Sequence, residues 1–230
     1  MLPHAVLGQD RPQYLGLSAS EERSAALLAR FVPVRSGAIR SVVGTECPIL
    51  VRPGGGGKKS RRKAAWNPPI RDRASRRGVW EQLRRGNVAS ISTDHAAWPI
   101  ETKQRSMLRA SAGTPGLETL LPLLVTAGAD QEIALPALLG YVTWRPGEIF
   151  GLGGRKGRLA TGFDADLAVF DARRKVVFDA SSSATNARWS PFDGFGLAGR
   201  VEATYVRGQE VYGDGAVVGA PGGGSWLRRG

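Results

Sequence analysis

Apolar residues recur at helical spacing through the earlier part of the chain and alternate residue by residue toward its C-terminus. Glu21 to Phe31 (EERSAALLARF) predicts a helix, with Ser20 as cap, acidic residues in its first turn and Ala25, Leu28 and Ala29 on one face. Gly54 to Gly57 then interrupt the pattern as a flexible joint without a dinucleotide-binding fingerprint. Ala74 to Arg85 predicts a second helix that turns Val79, Trp80 and Leu83 inward. Gly86 stops it, and Asn87 to Thr93 (NVASIST) predicts a short buried strand. Leu117 to Val125 and Ile133 to Val142 predict two more apolar helices.

From about Gly157 the texture changes. Ala165 to Phe170, Lys175 to Phe178 and Arg200 to Val206 carry strand patterns. Gly208 turns the chain into Glu210 to Tyr212, and Asp214-Gly215 turns it again into Val217 and Val218. A helix followed by a buried strand is the building unit of α/β barrels and open parallel sheets, whereas the tail reads as all-β. The expected class is therefore α/β, with a barrel-like unit over residues 1–154 and a β-rich unit over residues 155–230.

Composition excludes several alternatives. Hydrophobic residues make up 42% and charged residues 23%, ordinary usage for a globular chain. No run of about 18 apolar residues is present, so no membrane-spanning helix is expected. The start, Met1-Leu2-Pro3-His4, lacks a basic segment followed by an apolar one, so no secretory leader is expected. The single cysteine, Cys47, cannot close an internal disulfide, which agrees with a cytoplasmic location.

The net charge of +12 raises the question of nucleic acid. Residues 1–110 carry the whole excess, with 20 basic against 8 acidic side chains, while residues 111–230 balance at 12 against 12. The densest run is Lys58-Lys59-Ser60-Arg61-Arg62-Lys63. Neither interleaved aromatic residues nor a recognition-helix or zinc-finger spacing accompanies it. A solvated loop explains the run better than a nucleic-acid surface.

The most informative short segment is Ser92-Thr93-Asp94-His95, at the end of a predicted strand. In β/α barrels the C-terminal strand ends face the active site, where an aspartate can bind a divalent metal and move a proton. By itself the pair also fits a plain helix cap after the strand.

The segments around it resemble the dihydropyrimidinase, hydantoinase and allantoinase group of the amidohydrolase superfamily. The stretches that carry the likeness, in order, are Thr45 to Pro48, Trp66 to Arg71, Val79 to Leu83, Ser92 to Ala96, Gly113 to Glu118 and Ile149 to Leu152. Arg155 to Gly157, Gly162 to Leu167, Trp189 to Gly194 and Tyr205 to Tyr212 follow. The resemblance implies a TIM-type β/α barrel followed by a β-sandwich portion. It implies a divalent metal, zinc foremost, held by histidines, a carboxylated lysine and one aspartate. The implied reaction is hydrolytic opening of a cyclic amide or ureide of the dihydropyrimidine, hydantoin or allantoin class.

Carried onto this chain, Asp94 matches the family's metal-binding and catalytic aspartate, and His95 takes a supporting place behind it. His4, in Met1-Leu2-Pro3-His4-Ala5, either matches a further metal ligand or is an exposed terminal histidine. Asn67, Ala112 and Gly113 fall in the family's substrate-holding loops, with Asn67 and Ala112 departing from its usual residues. Only two histidines are present, His4 and His95, and no His-x-His pair. A catalytic zinc centre takes about three protein ligands and an open position, and Asp94 with His4 makes two at most. The expectation is a partial barrel, truncated relative to the family and weakly active or inactive alone. Alternatives are a non-catalytic subunit of a full-length homologue, through homo- or hetero-oligomerisation, and lastly a basic nucleic-acid-associated protein.

Overall fold

A computed structural model describes residues 44–46, 72–106 and 109–228. The predicted helix at Glu21 to Phe31, the Gly54 to Gly57 joint and the Lys58 to Lys63 run lie outside the described residues.

Strand β1 (Gly44–Glu46) pairs in parallel with β2 (Ser90–Ser92), matching Thr45 with Ile91. Between them in sequence stands helix α1 (Arg73–Arg84), one residue off the predicted start. Asp72 caps it, its carboxylate accepting from the Ser75 N–H at 2.8 Å. Gly86, at φ +73°, closes it in a left-handed turn that any side chain would strain. The Gly86 and Asn87 N–H groups there donate to the carbonyls of Leu83 and Gln82, both at 3.0 Å. Val79, Trp80 and Leu83 are buried as their spacing requires, against Val88, Ile91, Leu124, Leu138 and Tyr141. Tyr141 joins this core to the strand: its carbonyl accepts from Ile91 N–H at 3.0 Å. Its hydroxyl donates to the Leu83 carbonyl at 2.7 Å.

Short helix α2 (Ile100–Lys103) follows β2. Helices α3 (Leu120–Ala129), α4 (Leu135–Gly140) and α5 (Trp144–Ile149) come next. Helix α3 is apolar nearly all round, the pattern of a helix enclosed on several sides. Leu124, fully buried, faces the core around β2. Leu123, 1% exposed, faces a second core with Phe192 and Leu197.

The tail forms one antiparallel sheet of order β3-β4-β5-β6. Its strands are β3 (Leu167–Val177), β4 (Gly196–Val206), β5 (Gln209–Gly213) and β6 (Ala216–Val217). The turn residues Arg207-Gly208 and Asp214-Gly215 all have φ between +50° and +80°, the two-residue hairpin geometry that the glycines predict. The two strands expected at 165–170 and 175–178 are a single strand, β3. Its polar middle, Asp171 to Arg174, leaves register with β4, yet both flanks stay paired because β4 is equally long. Gly199 belongs to this irregularity: at φ +89° it lies under the Phe170 ring, and an added Cβ would overlap that ring.

Where the helical part hands over to the sheet, Lys156 bonds to both Asp164 and Asp166. The hydrogen bonds from Lys156 and Arg155 hold the Asp164 carboxyl below its ordinary value. The sheet is tied to α3 by Thr126, whose hydroxyl accepts from Ala198 N–H at 2.8 Å while donating to the Pro122 carbonyl.

The position of α3 between two cores has a measurable consequence. In urea unfolding, Leu123→Ala and Leu124→Ala should each cost about 2–5 kcal/mol. Val177→Ala, at a site 72% exposed, should stay within about 0.5 kcal/mol of the parent. Equal effects at all three positions would contradict the packing described.

Candidate active site

Asp94 lies just beyond the C-terminal end of β2, half-buried, with φ +47°. A left-handed aspartate is uncommon and turns the chain sharply at the strand tip. The next residue, His95, forms an isolated parallel bridge with Thr114, and the Ala96 N–H donates to the Thr114 carbonyl at 2.9 Å. The loop at residues 111–117 is thereby laid beside the Asp94 turn like a further strand.

His95 fastens the far end of that loop. Its Nδ1 accepts from the Gly116 N–H at 3.1 Å and the Leu117 N–H at 3.3 Å. Two donors on Nδ1 leave that nitrogen unprotonated, so the ring hydrogen of the neutral form sits on Nε2. Of the other residues singled out by sequence, Ala112 is exposed and Gly113 is buried. Gly113 has φ +94°, and a Cβ there would lie 2.7 Å from Ala96 Cβ, so only glycine permits this approach of the two loops. His4 and Asn67 lie outside the described residues.

Three side chains that sequence reasoning passed over hold the corner together. Lys103, the last residue of α2, is 1% exposed. Its Nζ donates to the carbonyls of Ser111 at 2.6 Å and Gly113 at 2.9 Å, and lies 5.8 Å from the centroid of the Trp189 ring. The Trp98 indole N–H donates to the Ala112 carbonyl and the Trp189 indole N–H to the Trp98 carbonyl, both at 2.8 Å. Glu118 extends the network, its carboxylate accepting from the Ala184 N–H at 2.7 Å. A cavity of about 300 Å³ opens beside these groups, lined by His95, Leu117, Glu118, Phe178, Trp189 and Ser190 among others.

Among the described residues, no three His, Cys, Asp or Glu side chains converge as a metal site would require. Asp94 is one donor, and neutral His95 offers none, since Nδ1 is engaged by two N–H groups and Nε2 carries the ring hydrogen. The described residues therefore do not by themselves fit a catalytic metal centre, which takes about three protein ligands.

With this geometry in view, the relatives of the chain become interpretable. An amidohydrolase family model matches residues 104–212. The chain is 34% identical to the L-hydantoinase of Paenarthrobacter aurescens over 166 residues, 70% of this chain and 36% of that protein. It is 35% identical to the dihydroorotase of Pyrococcus abyssi over 154 residues, 67% of this chain and 36% of that protein. A solved D-hydantoinase (dihydropyrimidinase) from Thermus sp. superposes with a TM-score of 0.76 at 27% identity, over 84% of this chain and 43% of that one. Over these stretches the chain belongs to the amidohydrolase superfamily. Within it, the likeness is to hydantoinases and dihydropyrimidinases and equally to dihydroorotases. The chain spans little more than a third of the length of the curated relatives it matches.

Burial lowers the Lys103 ammonium from the ordinary 10.5 to about 8. Between those two values the unfolded chain keeps a proton that the folded chain has released. The contribution of this group to stability is thus constant below about 8 and increases as pH rises through that window. Carbon-13 NMR of the lysine Cε resonances should show Lys103 titrating near 8, well below the ordinary lysine value of 10.5. A midpoint in the ordinary lysine range would contradict its enclosure.

Proposed function

We propose that this chain is the C-terminal part of a metal-dependent hydrolase that opens a cyclic amide or ureide ring of the dihydropyrimidine, hydantoin or allantoin class. The observation that carries the reading is the placement of Asp94 at the tip of a parallel strand, beside a loop pinned against it by His95 and Lys103. That placement agrees with the mouth of a β/α barrel, of which residues 1–154 would be a part, with residues 155–230 contributing to an adjoining β-sandwich. The small cyclic substrate would lie against Ala112, Gly113 and Asn67.

In this reading Asp94 is the proton carrier. It takes a proton from the attacking water and delivers it to the ring nitrogen as the C–N bond breaks, leaving an open-chain acid and a neutral leaving amide nitrogen. A divalent ion, most simply zinc, would supply the activation of that water, as the resemblance to the family implies. Here Asp94 would be one ligand and His4 a second. The remaining ligands must come from outside the described residues or from another chain. Hydrolysis by this chain alone is therefore expected to be weak.

A second reading has its own support. β3 is an edge strand with Leu167, Val169 and Val177 exposed, an arrangement suited to pairing with another chain. The chain would then serve as a partner subunit of a longer homologue, as a homo- or hetero-oligomer. No helix among the described residues is long and apolar enough to cross a membrane, and the single cysteine fits a cytoplasmic setting. A nucleic-acid role has only the charge of the first 110 residues behind it.

Metal analysis of the purified chain, followed by hydantoin and dihydrouracil ring-opening assays with zinc added, separates these readings. Hydrolysis that falls about 100-fold or more in Asp94→Ala supports catalysis. Rates indistinguishable between the parent and Asp94→Ala, together with co-purification of a longer homologue, would favour the subunit reading.

A further inference from the structure

Taking an ammonium out of water is costly unless every surrounding group compensates. Lys103 is nonetheless 1% exposed, at the end of a four-residue helix. What it compensates is a run of backbone. The carbonyl of Ser111 accepts from Lys103, that of Ala112 from Trp98, that of Gly113 again from Lys103 and that of Thr114 from the Ala96 N–H. The Ser111 N–H in turn donates to the Thr102 carbonyl. Four consecutive carbonyls are therefore held by donors, two of them by one ammonium.

In a trans peptide the N–H points opposite to the carbonyl of the preceding residue. With the Ser111 and Gly113 oxygens drawn to Lys103, the N–H groups of Ala112 and Thr114 are directed away from it. Ala112 is an exposed residue, and its N–H belongs to the side of the loop turned away from Lys103. The loop cannot rotate this face away without stranding a buried carbonyl, that of Gly113, and a part-buried one, that of Ser111, each of which would lose its donor. An apolar side chain of equal length could fill the space of Lys103 but could not hold either oxygen.

We propose that Lys103 is a positioning residue of the candidate site: from behind the 111–113 loop it fixes the peptide planes so that the Ala112 N–H is presented to a carbonyl oxygen of a cyclic amide. This rests on the ring-hydrolase reading for the identity of the ligand, but not for the positioning itself. Trp189, over which the ammonium sits, and Trp98 complete the support from the sheet side and the open side. The lowered proton affinity of Lys103 agrees with an enclosed group whose task is structural precision at a ligand-facing loop.

The test uses the full chain with Lys103→Met, Lys103→Arg and Trp98→Phe, read by hydrogen exchange of peptides covering residues 109–118 and 196–213 and by calorimetric titration with hydantoin and dihydrouracil. In Lys103→Met, exchange over 109–118 should accelerate at least about tenfold, with the 196–213 sheet unchanged. Ring-amide affinity should weaken by at least about tenfold, and Lys103→Arg should recover part of both losses. Unchanged loop exchange, acceleration shared equally by the sheet, or unaltered affinity despite a loosened loop would each overturn the proposal. If Lys103→Met fails to fold, Trp98→Phe, at a site 44% exposed, must still loosen the loop selectively or the lock is refuted. Should the parent chain bind neither ring amide, the ring-hydrolase reading and the ligand named here fall together, and the exchange result alone decides whether Lys103 positions the loop.

Discussion

Helix α3 is the contact on which the two parts of the molecule depend. Consecutive leucines point in different directions from it, Leu124 into the core around β2 and Leu123 into the core under β4. Thr126 adds a hydrogen bond from the same helix to the Ala198 N–H. A helix apolar nearly all round cannot stand at a surface, so its composition demands enclosure from both sides. The sheet and the helical part are each the cover that the other requires.

The same join places the candidate site. Residues 115–119 lead directly into α3, and the loop they belong to is bound by His95 on one side and by Lys103 and Trp98 on the other. Glu118 reaches the 183–190 segment, whose Trp189 returns to Trp98 and Lys103. Strand tip, loop, helix and the segment between β3 and β4 thus form one hydrogen-bonded corner, with the cavity beside it. The polar groups of this corner are few and nearly all engaged, which is what allows a loop to keep one geometry.

Much of the fold was legible because the signals are local. The helix at 73–84 follows from a 3.6-residue stripe closed by Gly86, and the hairpins follow from glycines at positions where φ is positive. Asp94 could be singled out because it follows a strand pattern and because its neighbours resemble a family. Three features were not legible. The strands at 165–170 and 175–178 are one, because pairing with β4 carries β3 across a polar stretch that by itself reads as a break. The helix expected from Leu117 begins at Leu120, because residues 117–119 form a turn whose i→i+3 bond runs from the Leu120 N–H to the Leu117 carbonyl. Lys103 is marked by no pattern in the sequence and is among the most buried side chains of the described residues.

The amino-acid order alone determined helix α1, the positions of the hairpin turns and the family likeness, since each depends on residues within a few positions of one another. Which carbonyls Lys103 holds, which nitrogen of His95 is occupied and how closely Gly113 meets Ala96 were decided only in three dimensions. Those contacts join residues brought near by the packing of other elements, and no local pattern encodes the distance between two loops.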